Sequence, residues 1–382
     1  MRANYQRLGN YIRQVDVRNK AQDVSLLLGL SIEKKFIPSI ANTIGTDMSS
    51  YKIVAPMQFA YVPVTSRNGD KITIALYKGE ERALISQAYT AFEITNTDAL
   101  LPDYLMLWFK RPEFDRYARF KSHGSAREVF DWDEMCNVML PVPPIEEQRR
   151  IVAQYQAVET RIRNNERLIA RLEDTAQAFY HHRFVDYIDP NNLPDGWKMA
   201  TIEDFGKVIT GKTPSSDNPE DFGDETPFVT PGDFWNYEKF AIGAERGLSI
   251  VGTKRLQNKL LPSGAVMVTC IGSDMGKIAV ATEECITNQQ LNSIVPYQKA
   301  YTDYLFYSLL LKTNELKSMA LGASTMPMLN KGDFEKINIL MPSYELLVEF
   351  TRLLLPLNNM VIMKLKENAL LSEANAILIN QL

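Results

Sequence analysis

Four residues in the stretch GKVITGKTP have the types and spacing of a phosphate-binding loop. Gly206, Gly211, Lys212 and Thr213 satisfy G-x-x-x-x-G-K-[ST]. In such a loop the backbone N–H groups of a helix N-terminus cradle phosphate and the lysine adds charge. That chemistry needs a buried strand before the loop and a helix after it. Upstream, WKMATIEDF is too polar for a buried parallel strand. Downstream, Pro214 and Pro219 bracket Ser, Asp and Asn, a composition of turns. The expected arrangement is a strand end and a polar loop that presents Lys212 and Thr213, without nucleotide chemistry.

Other catalytic patterns fail in the same way. Val142-Pro143-Pro144-Ile145 copies only the prolines of the tetrapeptide with which adenine methyltransferases hold a flipped base. Glu33-Lys34-Lys35 and Glu315-Leu316-Lys317 are E-x-K triplets without the further carboxylate that a metal-dependent nuclease needs. There is no G-x-S-x-G elbow. His123, His181 and His182 are the only histidines, and Cys136, Cys270 and Cys285 form no C-x-x-C pair. No catalytic residue and no metal site is expected. The scattered cysteines suit a reducing cytoplasm. No signal peptide is expected, and no apolar stretch is expected to reach the length of a membrane span.

The elements that must position these loops come in two copies. Asp103-Tyr104-Leu105 aligns with Asp303-Tyr304-Leu305, and Asp133 with Asp333. ALISQAYTAFEI aligns with CITNQQLNSIVP, RLGNYI with DFGKVI, and LPVPP with LMPSY. Each copy mixes short alternating strands with helices, so each globule is α/β in content. After each globule comes a long helical pattern. Ile151, Tyr155, Val158, Ile162, Asn165, Ile169, Leu172, Ala176 and Phe179 alternate spacings of four and three, a heptad seam. Leu347, Phe350, Leu354, Leu357, Val361, Lys364, Asn368 and Leu371 repeat the spacing, with Pro356 inside as a source of a kink or shifted hydrogen bonds. The chain divides into a globule over 1–144, a helix over 145–184, a globule over 185–344 and a helix over 345–382. The overall class is α+β, with the two helices paired as an antiparallel coiled coil.

With 382 residues, 45% of them hydrophobic and 23% charged, the composition is that of a globular protein. The formal net charge is −4. By segment it is +2, +1, −6 and −1. The acidic second globule nevertheless carries Lys212, Lys254, Arg255, Lys259 and Lys277 in or near Gly- and Ser-rich loops. Solvated surface lysines would look the same, so charge alone does not establish nucleic-acid binding.

The order of these motifs resembles the DNA specificity (S) subunit of type I restriction-modification systems along essentially the full length. Pro143-Pro144-x-x-Glu147-Gln148-x-x-Ile151 is similar to the opening of that family's spacer helix, and Leu193-Pro194-Asp195-Gly196-Trp197 to the start of its second target-recognition domain. Gly211-Lys212-Thr213-Pro214 resembles a loop common in those domains. Two departures stand out. Glu147-Gln148 is replaced by Leu346-Leu347 in the second helix, and the first globule has no L-P-x-G-W opening.

The resemblance implies two target-recognition domains in pseudo-two-fold repeat, reading the two parts of an asymmetric double-stranded DNA site for phage defence. It implies two methyltransferase (modification) subunits docked on the helices, joined by restriction/translocase subunits. S-adenosylmethionine, ATP and Mg²⁺ would be held by those partners and none by this chain. A helix over 145–184 would span roughly 60 Å at ~1.5 Å per residue, or ~50 Å with frayed ends, about fifteen base pairs at ~3.4 Å each. The loop residues expected to contact DNA are Arg67, Lys71, Ser125 and Arg127 in the first globule. In the second they are Lys212, Thr213, Lys277, Gln289 and Ser324. Two alternatives stay open: the specificity portion of a fused or split type II restriction-modification enzyme, and a repeat-built adaptor that binds no DNA.

Overall fold

Helix formers run without Gly or Pro from Ile145, and they form one helix, Ile145–Phe184. Glu146 and Glu147 lie in its first turn and His181, His182 and Arg183 in its last, as the helix dipole favours. The second long helix, Tyr344–Asn380, continues through Pro356. The computed structural model describes residues 5–39, 47–66, 69–122, 128–189, 191–272, 275–320 and 328–382. Every residue of the two heptad seams is buried or half-buried. Beyond Ala176 the first seam changes to steps of four, and Tyr180 and Phe184 are buried.

The chain packs as two compact units. One is Met1–Ile162 with Leu370–Leu382, and the other is Arg163–Ala369. Each unit therefore combines a globule with a portion of both helices, because each helix end buries its seam against the nearest globule. In the first unit Ile151 and Tyr155 share a core with Ile379 and Leu382. The amide of Asn375 donates to Glu159 at 3.2 Å. In the second, Asn165 donates to Asn368 at 2.8 Å, and Arg183 pairs with Glu349 at 3.2 Å. Partners descend along one helix as they ascend along the other, so the pairing within each unit is antiparallel. The observed class is the expected one: α+β, a repeated globule and two long antiparallel helices.

The first globule is built on a four-stranded antiparallel sheet in the order Ile12–Val15, Thr90–Ile94, Phe59–Tyr61, Ile74–Leu76. The second has the same order in Gly206–Thr210, Leu291–Pro296, Val266–Thr269 and Ile278–Ala281. It adds a fifth strand, Phe240–Ala241, parallel to Ile278–Ala281. A two-stranded ribbon closes each globule before its long helix. Tyr5–Arg7 pairs with Met139–Pro141, and Lys198–Thr201 with Asn338–Met341. Tyr104 donates its hydroxyl to the Pro141 carbonyl and Tyr304 to that of Leu340.

These bonds fix the equivalences. The alignment of ALISQAYTAFEI on CITNQQLNSIVP holds, since Phe92 lies opposite Phe59 as Ile294 lies opposite Val266. Two others shift. Leu8 donates its N–H to Val138 as Ile202 does to Ile337, so RLGNYI matches a stretch three residues before DFGKVI. Asp131 and Asn330 cap equivalent short helices, so Glu134, not Asp133, matches Asp333. Insertions between identical residues displaced both matches.

One helix among the described residues, Tyr344–Asn380, contains an 18-residue stretch of mean hydropathy 1.4, enough by length and composition to cross a membrane. This corrects the expectation that no stretch would reach that limit. The helix is apolar on two sides. Leu347, Phe350, Leu354 and Val361 are buried in the core, while Leu355, Met360 and Met363 face outward, Leu355 with 54% of its surface exposed.

Candidate nucleic-acid interface

In the second globule one end of the sheet gathers most of the expected residues. Thr210 closes its strand by donating to Asn292 at 2.7 Å. The chain then crosses the segment before Leu291 at contact distance. Gly211 donates to the Leu291 carbonyl and Lys212 to that of Thr287, at 3.2 and 2.9 Å. A Cβ on Gly211 would stand 2.2 Å from the carbonyl oxygens of Thr287 and Asn288, so only glycine permits the crossing. Gly206–Thr210 is thus a strand, and the chain after it enters a loop and a single 3-10 turn, Pro219–Asp221. No helix opens on the loop, and the phosphate-loop geometry is not formed.

That crossing brings Lys212, Thr213 and Gln289 together. The Thr213 hydroxyl donates to Gln289 Oε1 at 2.6 Å, and the Lys212 side chain is exposed. Gln289 stands at the tip of a tight turn. The Gln290 N–H bonds Asn288 Oδ1 at 3.0 Å, and the Leu291 N–H bonds the Asn288 carbonyl at 3.2 Å. Lys259 reaches the same end and donates to the Thr210 carbonyl at 2.9 Å. Lys277 immediately precedes the adjoining hairpin strand, Ile278–Ala281. Its ammonium lies 3.2 Å from the ring centroid of Trp235, whose own surface is 73% exposed. By contrast Arg255 is held by Glu220 and Asp221 at 3.0 and 2.7 Å.

Behind Lys277 a cavity of about 420 Å³ is lined by Tyr237, Lys239, Phe306 and Tyr307, with Glu173 of the first long helix and Glu238 beside it. Burial and the neighbouring Glu238 raise the Glu173 carboxyl to about 8. Among the described residues no group of three or more His, Cys, Asp or Glu could hold a metal.

The first globule offers the same sheet end. The Ala88 N–H bonds Ser86 Oγ at 3.3 Å and the Tyr89 N–H bonds the Ser86 carbonyl at 3.0 Å, which reproduces the Asn288 turn and puts Gln87 at its tip. The alignment of ALISQAYTAFEI already carried this signal, because it sets Gln87 on Gln289. Lys71 lies in the connection between Phe59–Tyr61 and Ile74–Leu76, exposed and paired with Glu33 at 3.1 Å. The Val64–Val129 bridge matches Ile271–Met328. Arg67, Ser125, Arg127 and Ser324 lie outside the described residues.

Residues 194–364 match the family described as the type I restriction modification DNA specificity domain. The chain is 23% identical, over an alignment of 446 positions, to the type I restriction enzyme HindI specificity subunit of Haemophilus influenzae, covering 98% of this chain and 96% of that one. A stretch of 188 positions is 30% identical to the MjaIX specificity subunit of Methanocaldococcus jannaschii, covering 48% and 43%. The fold is similar to that of the type I restriction-modification S subunit from M. genitalium, with a TM-score of 0.61, 12% identity and coverage of 99% and 96%. The repeated globule and paired helices accompany an end-to-end likeness in sequence: the chain is similar throughout to a type I restriction enzyme specificity subunit, and residues 194–364 match the DNA specificity domain of that family.

Proposed function

We propose that each globule reads one part of a bipartite, asymmetric double-stranded DNA site through the loops at its turn-bearing sheet end. The observation that carries this reading is the clustering of Lys212, Thr213, Gln289 and Lys277 at that end of the second globule, matched by the Gln87 turn in the first. The Gln289 amide, the Thr213 hydroxyl and the Lys212 ammonium suit base edges and phosphates. The chain itself is a non-catalytic specificity component.

Two modification subunits would dock on the long helices, where Leu355, Met360 and Met363 expose apolar surface. Restriction/translocase subunits would join them in the cytoplasm. S-adenosylmethionine, ATP and Mg²⁺ would belong to those partners. A net charge of −4 leaves most of the electrostatic affinity to them as well.

The helices would act as the spacer between the two parts of the site. Insert one heptad after Asn165 and a matching heptad at the facing level of the second helix. The seam phase is kept, and each helix gains ~10.5 Å, about three base pairs at ~3.4 Å. Sequencing of modified adenines in a host carrying the whole system should show both half-site sequences intact and the gap longer by about three. An active variant with its original gap would exclude the helices as spacer. A wild-type system whose modified sites form no two-part sequence would overturn the proposal and favour the adaptor.

A further inference from the structure

We propose that Gln87 determines one base in the part of the DNA site read by the first globule, as the counterpart of Gln289 in the second. This rests on the DNA-reading function proposed above and adds to it a specificity residue in the first globule.

The argument is one of equivalent position with different neighbours. Both glutamines are exposed at the tip of the turn that leads into the second strand of the sheet. In each turn the first side chain, Ser86 Oγ or Asn288 Oδ1, accepts from the N–H two residues on. In each, the first carbonyl accepts from the N–H three residues on. Both turns are clamped from outside. Lys52, itself buried, donates its ammonium to the Tyr89 carbonyl at 2.6 Å. In the second globule the N–H groups of Gly211 and Lys212 bind Leu291 and Thr287. A reading side chain on such a turn is held by the scaffold rather than by its own loop.

The neighbours differ in a way that favours Gln87. Gln289 already accepts from Thr213 through Oε1. Gln87 has no hydrogen-bond partner among the described residues, so its acceptor and its donor both face outward. In step with the strand pairing, Arg18 occupies the place of Lys212. Its guanidinium is committed to Asp16 at 2.7 Å and to the Ser50 carbonyl at 2.8 Å. That leaves the carboxamide of Gln87 as a free, exposed polar group at the tip of this turn. A carboxamide sets an acceptor and a donor side by side, the pattern that pairs with N6 and N7 of adenine in the major groove.

The test uses the full chain assembled with its modification partners. Wild type, Gln87→Glu, Gln87→Ser and Gln289→Glu are compared by sequencing modified adenines in the host. The purified complexes then compete for duplexes substituted at each position of the site. Glutamate keeps the shape and replaces the amide donor by an acceptor, so adenine should lose its advantage at one position by about tenfold or more. Gln87→Ser should relax the same position. Neither should alter the other part of the site, and Gln289→Glu should alter only that other part. The proposal falls if both Gln87 variants keep the wild-type base ranking at every position, or if they change both parts of the site together. A wild-type complex without ranking at any position would instead remove the DNA-reading function beneath it.

Discussion

The aspartates near the starts of Pro102–Phe109 and Tyr301–Leu311 occupy the same place in the two repeats and have different surroundings. Asp103 pairs with Lys78, whose side chain is 56% exposed. Asp303 meets Lys239 at 2.7 Å, with the two side chains 8% and 2% exposed. Asn358 of the C-terminal helix bonds both members of the second pair, and the ring of Tyr307 lies 4.7 Å from the ammonium. The lysines come from different segments. Lys78 follows an edge strand of the first sheet, whereas Lys239 immediately precedes Phe240–Ala241, the strand that only the second sheet has. Burial pulls the Lys239 ammonium below the ordinary lysine range, and Asp303 pulls against it. One added strand therefore converts a solvated ion pair into a buried one on which the packing of globule and helix depends.

The largest expected effect separates these two pairs. Asp303→Ala leaves a buried ammonium without its counter-charge and should cost about 3–5 kcal/mol. Lys78→Ala should cost no more than about 1 kcal/mol. Denaturant unfolding of the full chain reads both, and equal losses would show that burial is not the distinguishing factor.

A second contrast lies at the start of the long helices. Gln148 is fully buried, accepts from the Leu101 N–H at 2.8 Å and donates to the Ala99 and Pro143 carbonyls at 2.9 and 2.8 Å. Its counterpart, Leu347, is buried in a purely apolar contact, and there the Tyr301 N–H turns to the Gln298 carbonyl instead. Gln148→Leu imports the second solution without its backbone and orphans those groups. It should cost about 1–3 kcal/mol in the same unfolding measurement. A neutral result would mean that the segment before Pro102 can rearrange as the second copy does.

The third contrast is in pH dependence. Glu173 has its carboxyl raised from 4.5 to about 8 by burial and by Glu238. The matching turn of the C-terminal helix carries the exposed Ser372. Between those two values the folded state holds the proton that the unfolded state has released. Stability of the second unit should therefore fall as pH rises from about 4.5 toward about 8. Glu173→Gln stays neutral and should flatten that fall by several degrees of melting temperature at the alkaline end. The same slope in wild type and variant would assign the effect elsewhere.

The smallest effect compares the polar bonds inside the two helix pairings. Asn165→Ala removes the bond to Asn368 and should cost about 1 kcal/mol. Asn375→Ala should cost less, because Glu159 keeps the Tyr155 hydroxyl as a donor at 2.9 Å. The reverse ranking in thermal unfolding would place the stronger lock in the first unit.

Much of this was legible in the sequence where periodicity or a short rigid signature carries it. The heptad seams gave the helices because apolar spacing survives any change of surface residue. Asp-Tyr-Leu marked the repeat because Tyr104 and Tyr304 must reach the same ribbon carbonyl. Gly211-Lys212-Thr213-Pro214 marked the loop because the crossing tolerates only glycine. What escaped was set by tertiary context. A two-residue strand such as Phe240–Ala241 leaves no periodic trace, so neither it nor the burial of Lys239 could be foreseen. Gln87 escaped because nothing in the residues around it marks a loop, as Gly211-Lys212-Thr213-Pro214 does for Gln289; only the turn shared with residue 289 singles it out. The residues around Asp133 and Gly9 slipped register because insertions are invisible when identities are matched one at a time.

The crossing at Gly211 has a bearing on how such a protein can change. Main chain touches main chain there, so mutation at that position is closed. The residues beside it, Lys212, Thr213 and Gln289, point away from the contact into solvent or toward one another, and exchanging them disturbs no core. Drift is thereby channelled. On the proposed reading, a lineage could explore new target sequences by single steps on the rim, while Gly211 stays fixed beneath it.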